Sequence, residues 1–216
     1  MTYAFNKLFA KKLPRKLTAS PLHASFKHQN SLFTHIPKAA GSSISLTLYG
    51  HQVGHKKVSD YYFSDPKKTE SLFKFSFVRN PLTRFESSFN FLKGNSPFLS
   101  DRKLQGVMAR FEGVNDFCEA FLKSPDDFKS LHFTPQYRFI NYTGNKKDKQ
   151  IGIDFIGRFE NINADFNYIC QKIGVDRTLS KVNTNKSAKV ESLSTANAER
   201  LSEFYDTDFY LFGYNL

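Results

Sequence analysis

The chain contains no tryptophan and only two cysteines among its 216 residues. Cys118 and Cys170 stand far apart, with no CxxC or Cys/His spacing around them, which excludes a disulfide framework and a zinc-finger-type site. Two isolated thiols fit core packing in a reducing compartment, so the cytoplasm is the expected location. No apolar run approaches the roughly 18–20 residues that span a bilayer, and the N-terminus lacks an apolar signal core. Acidic residues are scarce too: 20 Asp and Glu face 31 Lys and Arg, a net charge of +11. The partner of such a chain is expected to be an anion: nucleic acid, an acidic polysaccharide, a membrane face or a polyphosphorylated cofactor.

No internal repeat, low-complexity tract or Pro/Ser-rich linker interrupts residues 30–216, so a single domain over residues 31–216 is expected, behind a basic arm at 1–30. The arm, "MTYAFNKLFAKKLPRKLTASP", mixes Phe and Leu with Lys and Arg. It reads as a solvated arm packed down by its aromatics, with peripheral contact to an anionic membrane as the alternative.

What the chain has in quantity is phenylalanine, 24 residues, and much of it falls in short apolar runs that alternate with helical periodicity. "SLFTHI" (31–36) reads as a buried strand ended by Pro37, after which Ser42 or Ser43 can open a helix that stops at Gly50. "LFKFSFV" (72–78) is a second strand, followed by "RNP", where Pro81 suits a first helical turn. In that helix Phe85, Phe89 and Leu92 share one face and should meet the sheet, while Thr83, Ser87 and Asn90 share another. "GVNDFCEAFLKS" offers Asn115 as a cap, "IDFIGRF" (153–159) is a third strand, "NADFNYICQKIG" a covering helix, and "TANAERLSEFYDTDFYLFGY" a capped helix. Strands alternating with helices predict a three-layer α/β domain around a mainly parallel sheet.

In such a sheet, anions bind beyond the carboxyl ends of the strands, where helix N-termini and small residues surround them. Residues 37–43, "PKAAGSS", have that position. Gly41 admits a close backbone approach, Ser42 and Ser43 supply hydroxyls, and Lys38 a mobile charge. A Walker A loop has its lysine after the second glycine, whereas Lys38 precedes Gly41. A kinase-like site would also place an acidic Mg²⁺ ligand at the neighbouring strand end, where this chain has Arg79. Arg79, the first-turn amides behind it and Ser87 read as a second anion site that needs no metal.

"HIPKAAGSS" together with "FSFVRNPLTRFESSF" resembles the paired cofactor motifs of the PAPS-dependent carbohydrate sulfotransferases, the family of the heparan and chondroitin enzymes. The later segments "IDFIGRFENINADFNYICQKIGV" and "NTNKSAKVESLSTANAERLSEFYDTDFYLFGY" resemble the same family. The resemblance implies a P-loop-like sulfotransferase fold and PAPS (3′-phosphoadenosine 5′-phosphosulfate) as cofactor. It implies a phosphosulfate loop of Pro37, Lys38, Ala39, Ala40, Gly41, Ser42 and Ser43, and a 3′-phosphate site at Arg79 and Ser87. Ala39 departs from the pattern, which commonly has Thr or Ser there. Asn183, Thr184 and Lys186 in "VNTNKS" can close over the nucleotide or form an exposed loop.

Sulfuryl transfer to a hydroxyl needs a base for its proton and a cation beside the departing phosphate. Lys38 suits the second task. Neutral histidine suits the first, and His35, His51, His55 and His132 are the candidates. "GHKKVSDYYF" resembles the family segment between the cofactor motifs, which favours His55. His132 in "HFTPQYRFI", near Gln136, is the runner-up base or an acceptor ligand. Arg158 and Glu160 can support the acceptor or pair with each other. The expected acceptor is a glycan or glycoconjugate, an anionic one being compatible with the surplus charge, and nucleic acid is not the expected partner. A polyanion- or nucleic-acid-binding module and a nucleotide-dependent, kinase-like phosphotransferase are the alternatives.

Overall fold

The computed structural model describes residues 22–94, 99–141, 152–179 and 191–216. Their strands form one parallel sheet in the order β1 (Ser31–Thr34), β2 (Phe73–Val78), β3 (Phe155–Arg158). Thr34 lies opposite Ser76, and Val78 opposite Arg158. Every residue of β1 is buried, as is β2 from Lys74 onward, so both faces of these strands are covered, which explains their near-continuous apolar sequence. Lys74, the one cation inside β2, is 3.0 Å from Asp154, whose carboxylate also accepts from the Lys74 amide.

The helices are α1 (Ala24–His28), α2 (Gly41–Tyr49), α3 (Val58–Ser64), α4 (Pro66–Ser71), α5 (Pro81–Lys93), α6 (Arg102–Met108), α7 (Val114–Lys123), α8 (Tyr137–Ile140), α9 (Ile162–Ile173), α10 (Thr195–Phe204) and α11 (Asp206–Phe212). Helices flank the sheet, as the α/β reading predicts. Gly50 stops α2 with a φ of 74°, a left-handed conformation that costs glycine little.

The core falls into two clusters. One surrounds the sheet and includes Phe33, Phe75, Phe77, Phe166 and Ile169. The other holds Phe85, Phe89, Leu92, Phe117, Phe121, Phe133, Leu201 and Tyr205. The apolar stripe of α5 therefore faces α7 and α10 instead of the sheet, a correction to the sequence expectation. Its cause is the supply of rings: Phe117 alone stacks at 5.3 Å on Phe85 and 5.4 Å on Phe89, contacts that only aromatic partners provide.

Two caps also differ from expectation. Asn115 lies inside α7, whose N-cap is Gly113; its side chain instead accepts from the Ser194 amide and donates to Glu191. The C-terminal helix starts from a Ser194 cap but divides at Tyr205, whose hydroxyl donates to the Phe133 carbonyl at 2.8 Å.

The folded body reaches back at least to Leu22, since Leu22 and Phe26 belong to the sheet cluster. Phe26 is fully buried and meets Tyr49 and Tyr61 edge-on. Phe26→Ala should cost about 3–5 kcal/mol in urea unfolding; a loss under about 0.5 kcal/mol would mean that this segment is only laid on the surface.

Candidate functional site

The loop after β1 begins as the chain leaves the sheet at His35. Lys38 and Ala40 take left-handed φ values of 67° and 62° while Ala39 between them does not. For residues with a Cβ this conformation costs about 1–2 kcal/mol each. Alternating hands turn successive amides toward one concavity, a geometry that suits an anion. Ala40 is the N-cap of α2 and no side chain caps that end, so neither Ser42 nor Ser43 does the capping expected of it. The first-turn amides are left for a ligand and carry the positive end of the helix dipole. Gly41 has a second role: a Cβ there would lie 1.8 Å from Cδ2 of His35. Ala39 is buried in the sheet cluster, so a Thr or Ser at this position would place its hydroxyl in the core.

The loop after β2 meets the first one. Arg79 Nη1 donates to the Lys38 carbonyl at 3.4 Å and its Nε to Thr83 Oγ1 at 3.1 Å, while the guanidinium lies 4.3 Å over the Phe159 ring. Its backbone is gripped on both sides by Gln136, which accepts from the Arg79 amide and donates to its carbonyl. Asp208 of α11 in turn accepts from the Gln136 and Tyr137 amides at 2.7 and 2.9 Å. The amides of Leu82 and Thr83 are already taken by the Asn80 side chain, which corrects the expectation that they serve an anion. Any anion held here depends on side chains: Arg79 and, two turns into α5, the half-buried Ser87.

The two loops bring Lys38 and Arg79 together, with Asp101 acting on the first and Glu160 and Glu86 on the second. Burial first and Arg79 second lower the Lys38 ammonium to about 8, and Asp101 only partly opposes them. The Lys38 Nζ rests 4.0 Å over the Phe91 ring. Burial likewise lowers Arg79.

The same space collects imidazoles. His55 Nδ1 lies 3.0 Å from the His35 carbonyl, an oxygen that can only accept, so Nδ1 carries the proton and Nε2 the free lone pair. Burial lowers His55, against the bond to His35 and the Asp101 charge, which raise it. His35 is buried, 4.1 Å ring to ring from His55, and is held well below its ordinary value by burial and then by His55. His132 Nε2 is 3.6 Å from Asp101, its Nδ1 is buried without a partner among the described residues, and its ring lies 5.4 Å from Phe91. Burial, opposed by Asp101 and assisted by Lys38, His55 and Arg84, lowers His132 to about 4. His51 is elsewhere, bonded to Ser25 and Gln52.

The sequence model of the sulfotransferase family matches residues 25–215. This chain belongs to the sulfotransferase family. No curated protein and no solved structure matched it. The family accounts for sulfuryl transfer as the general chemistry, and the sulfotransferase's two loops occupy adjacent strand ends of its sheet.

Lys38, His55 and His132 thus come into one neighbourhood, with Arg79 beside Lys38. Asn183, Thr184 and Lys186 lie outside the described residues. Arg158 and Glu160 do not pair with each other: Glu160 accepts from the Asn80 amide and the Tyr214 hydroxyl, and Arg158 donates to the Phe212 carbonyl. Both anchor the C-terminal turn. Sequence reading missed Arg84, Asp101, Phe91 and Asp208. Only Arg84 had a local signal: a charge at position 84 of the buried stripe 81, 85, 88, 89 and 92.

No membrane-spanning candidate occurs among the described residues, since no helix is long and apolar enough. The crowding of Lys38 predicts a trade between site and fold. Its folded pKa lies below its unfolded one, so the ammonium destabilises the folded state at neutral pH, and that penalty fades as pH rises from about 8 toward 10.5. Lys38→Met should therefore raise stability at pH 7 by about 1–3 kcal/mol, with the gain narrowing above pH 8 in denaturant titrations. A loss of stability at pH 7 would show that the ammonium is satisfied where it stands.

Proposed function

We propose that this sulfotransferase moves the sulfuryl group of PAPS to a hydroxyl of a glycan or glycoconjugate. The observation that carries the reading is the junction of Lys38 and Arg79: two lowered cations tied through the Lys38 carbonyl, next to an uncapped helix N-terminus. That donor set fits a ligand with a phosphosulfate at one end and a phosphate at the other. The same features weigh against the kinase-like alternative, and the family match weighs against a plain polyanion-binding module.

In this reading Pro37 to Ser43 cradle the phosphosulfate, and Arg79 with Ser87 takes the 3′-phosphate. The cofactor, when bound, supplies an activated sulfuryl group: one O–S bond forms to the acceptor and one S–O bond to phosphate breaks. Lys38 stays protonated near the oxygen that gains the electron pair. His55 Nε2 receives the proton of the acceptor hydroxyl, its tautomer already set by the His35 carbonyl. Asp101 then offsets part of the imidazolium charge, since it already raises His55. His132 orients the acceptor or serves as base if His55 does not, through Nε2, which faces Asp101, since its Nδ1 is buried.

Calorimetry with PAP tests the cofactor site. Wild type should bind without Mg²⁺, and Lys38→Ala or Arg79→Ala should each weaken binding by about 10- to 100-fold, the worth of a lost charge-assisted contact. Unchanged affinity in both would remove the assignment.

The pH profile tests the groups. kcat/KM reports the free enzyme, so its acid limb should lie below 6.5, where the lowered His55 titrates, and its alkaline limb near 8, where Lys38 loses its proton. His55→Ala should keep PAP affinity and lose turnover. Full turnover in that variant would transfer the role to His132.

A further inference from the structure

Helix α5 carries a guanidinium in the core. Arg84 is fully buried, yet among the described residues it makes no ion pair. Its bonds run to carbonyls: Nε to Pro37 at 3.0 Å, Nη2 to Thr134 at 2.9 Å and to Leu131 at 3.4 Å, with Nη1 left unpartnered. Burying a cation against carbonyl dipoles, with the Asp208 carboxylate acting on it only through space and not as an ion pair, is costly, and an apolar side chain would fill the stripe between Pro81 and Phe85 at lower cost. What an apolar residue cannot do is join two segments that, among the described residues, share no hydrogen bond of their own: Pro37, which opens the loop after β1, and the 131–134 turn, which carries His132. One turn on, Ser88 adds a hold on the turn alone, its hydroxyl hydrogen shared between the His132 carbonyl at 3.0 Å and that of Arg84 at 2.9 Å.

We infer that Arg84, seconded by Ser88, is a positioning residue that fixes the distance between the lysine-bearing donor loop and the histidine-bearing turn. The inference rests on the reading of Lys38 and His132 as parts of one site. Lys38 follows Pro37 directly in the left-handed conformation, so a shift of the Pro37 carbonyl swings the lysine, and a shift of residues 131–134 swings His132. Phe91, touching Lys38 on one side and His132 on the other, fills the space that this distance leaves. The guanidinium also acts through its charge. His55 faces His35, Asp101 and Arg84; His132 faces Asp101, Lys38, His55 and Arg84; in both, Arg84 works to keep the imidazole neutral. Lysine would keep that charge but, lacking the planar fork, could not span all three carbonyls.

The test compares Arg84→Lys, Arg84→Met and Ser88→Ala in the full chain. In Arg84→Met, kcat should fall about 100-fold, the effect of a displacement near 1 Å, while PAP affinity, which Arg79 shares with Lys38, falls less. Its acid limb should move to higher pH as the imidazoles lose a neighbouring cation, whereas Arg84→Lys should keep the wild-type limb and still lose kcat. If Arg84→Met does not fold, Ser88→Ala decides: kcat about tenfold lower with PAP affinity unchanged. Hydrogen exchange separates this inference from the functional reading. Amides of residues 38–43 and 131–134 should exchange about tenfold faster together in Arg84→Lys. If wild type binds no PAP, the cofactor reading fails and the exchange result alone judges the coupling. Wild-type kcat and exchange in both Arg84→Lys and Ser88→Ala would overturn the inference.

Discussion

Parallel pairing of β1 on β2 is the constraint from which the site follows. With Thr34 opposite Ser76, and the Ser76 hydroxyl donating to the Thr34 carbonyl at 2.7 Å, β1 ends only two residues short of the end of β2, and the loops that follow them meet. A one-residue slip would exchange the faces of β2 and drive Lys74 from its seat beside Asp154. Register therefore sets how far Lys38 lies from Arg79, and the loops only refine it. Behind the strand ends, α5 works as the beam to which both loops are tied, by Arg84 and Ser88 on its buried side and by Asn80 at its start.

The site then stores energy in forms that a ligand can release. Two left-handed residues strain the first loop, the N-terminus of α2 lacks a cap, and half-buried cations repel one another. Each feature opposes folding and each favours an anion, the pattern expected where binding has been placed ahead of stability. The imidazoles show the same economy. Burial lowers both His55 and His132, which favours the neutral imidazole in each.

The two loops of this candidate site were legible in the sequence because they are local objects. The order Pro37, Lys38, then Gly41 with two serines, and the replacement of an acidic strand end by Arg79, are statements about neighbours along the chain. What was not legible came from tertiary contacts. Asp208 reaches Gln136 across 72 residues, and nothing beside Asp208 in the chain marks it as a support for Arg79. Asn115 had the form of a cap, but the 191–197 segment claimed its side chain. Phe85 and Phe89 had the period of a sheet-facing stripe, yet periodicity says that a face is buried and not against what. Arg84 shows the intermediate case, a charge at a core position whose meaning depends on carbonyls 47 and 50 residues away.

The central claim is that the Lys38–Arg79 junction serves sulfuryl transfer from PAPS. Following sulfur-labelled PAPS onto a panel of neutral and uronate-containing glycans tests it directly. The account predicts that label reaches at least one acceptor with one PAP released for each sulfate transferred, and that Lys38→Ala abolishes both. Phosphate transfer from ATP to the same acceptors, with no PAP released from PAPS, would contradict it.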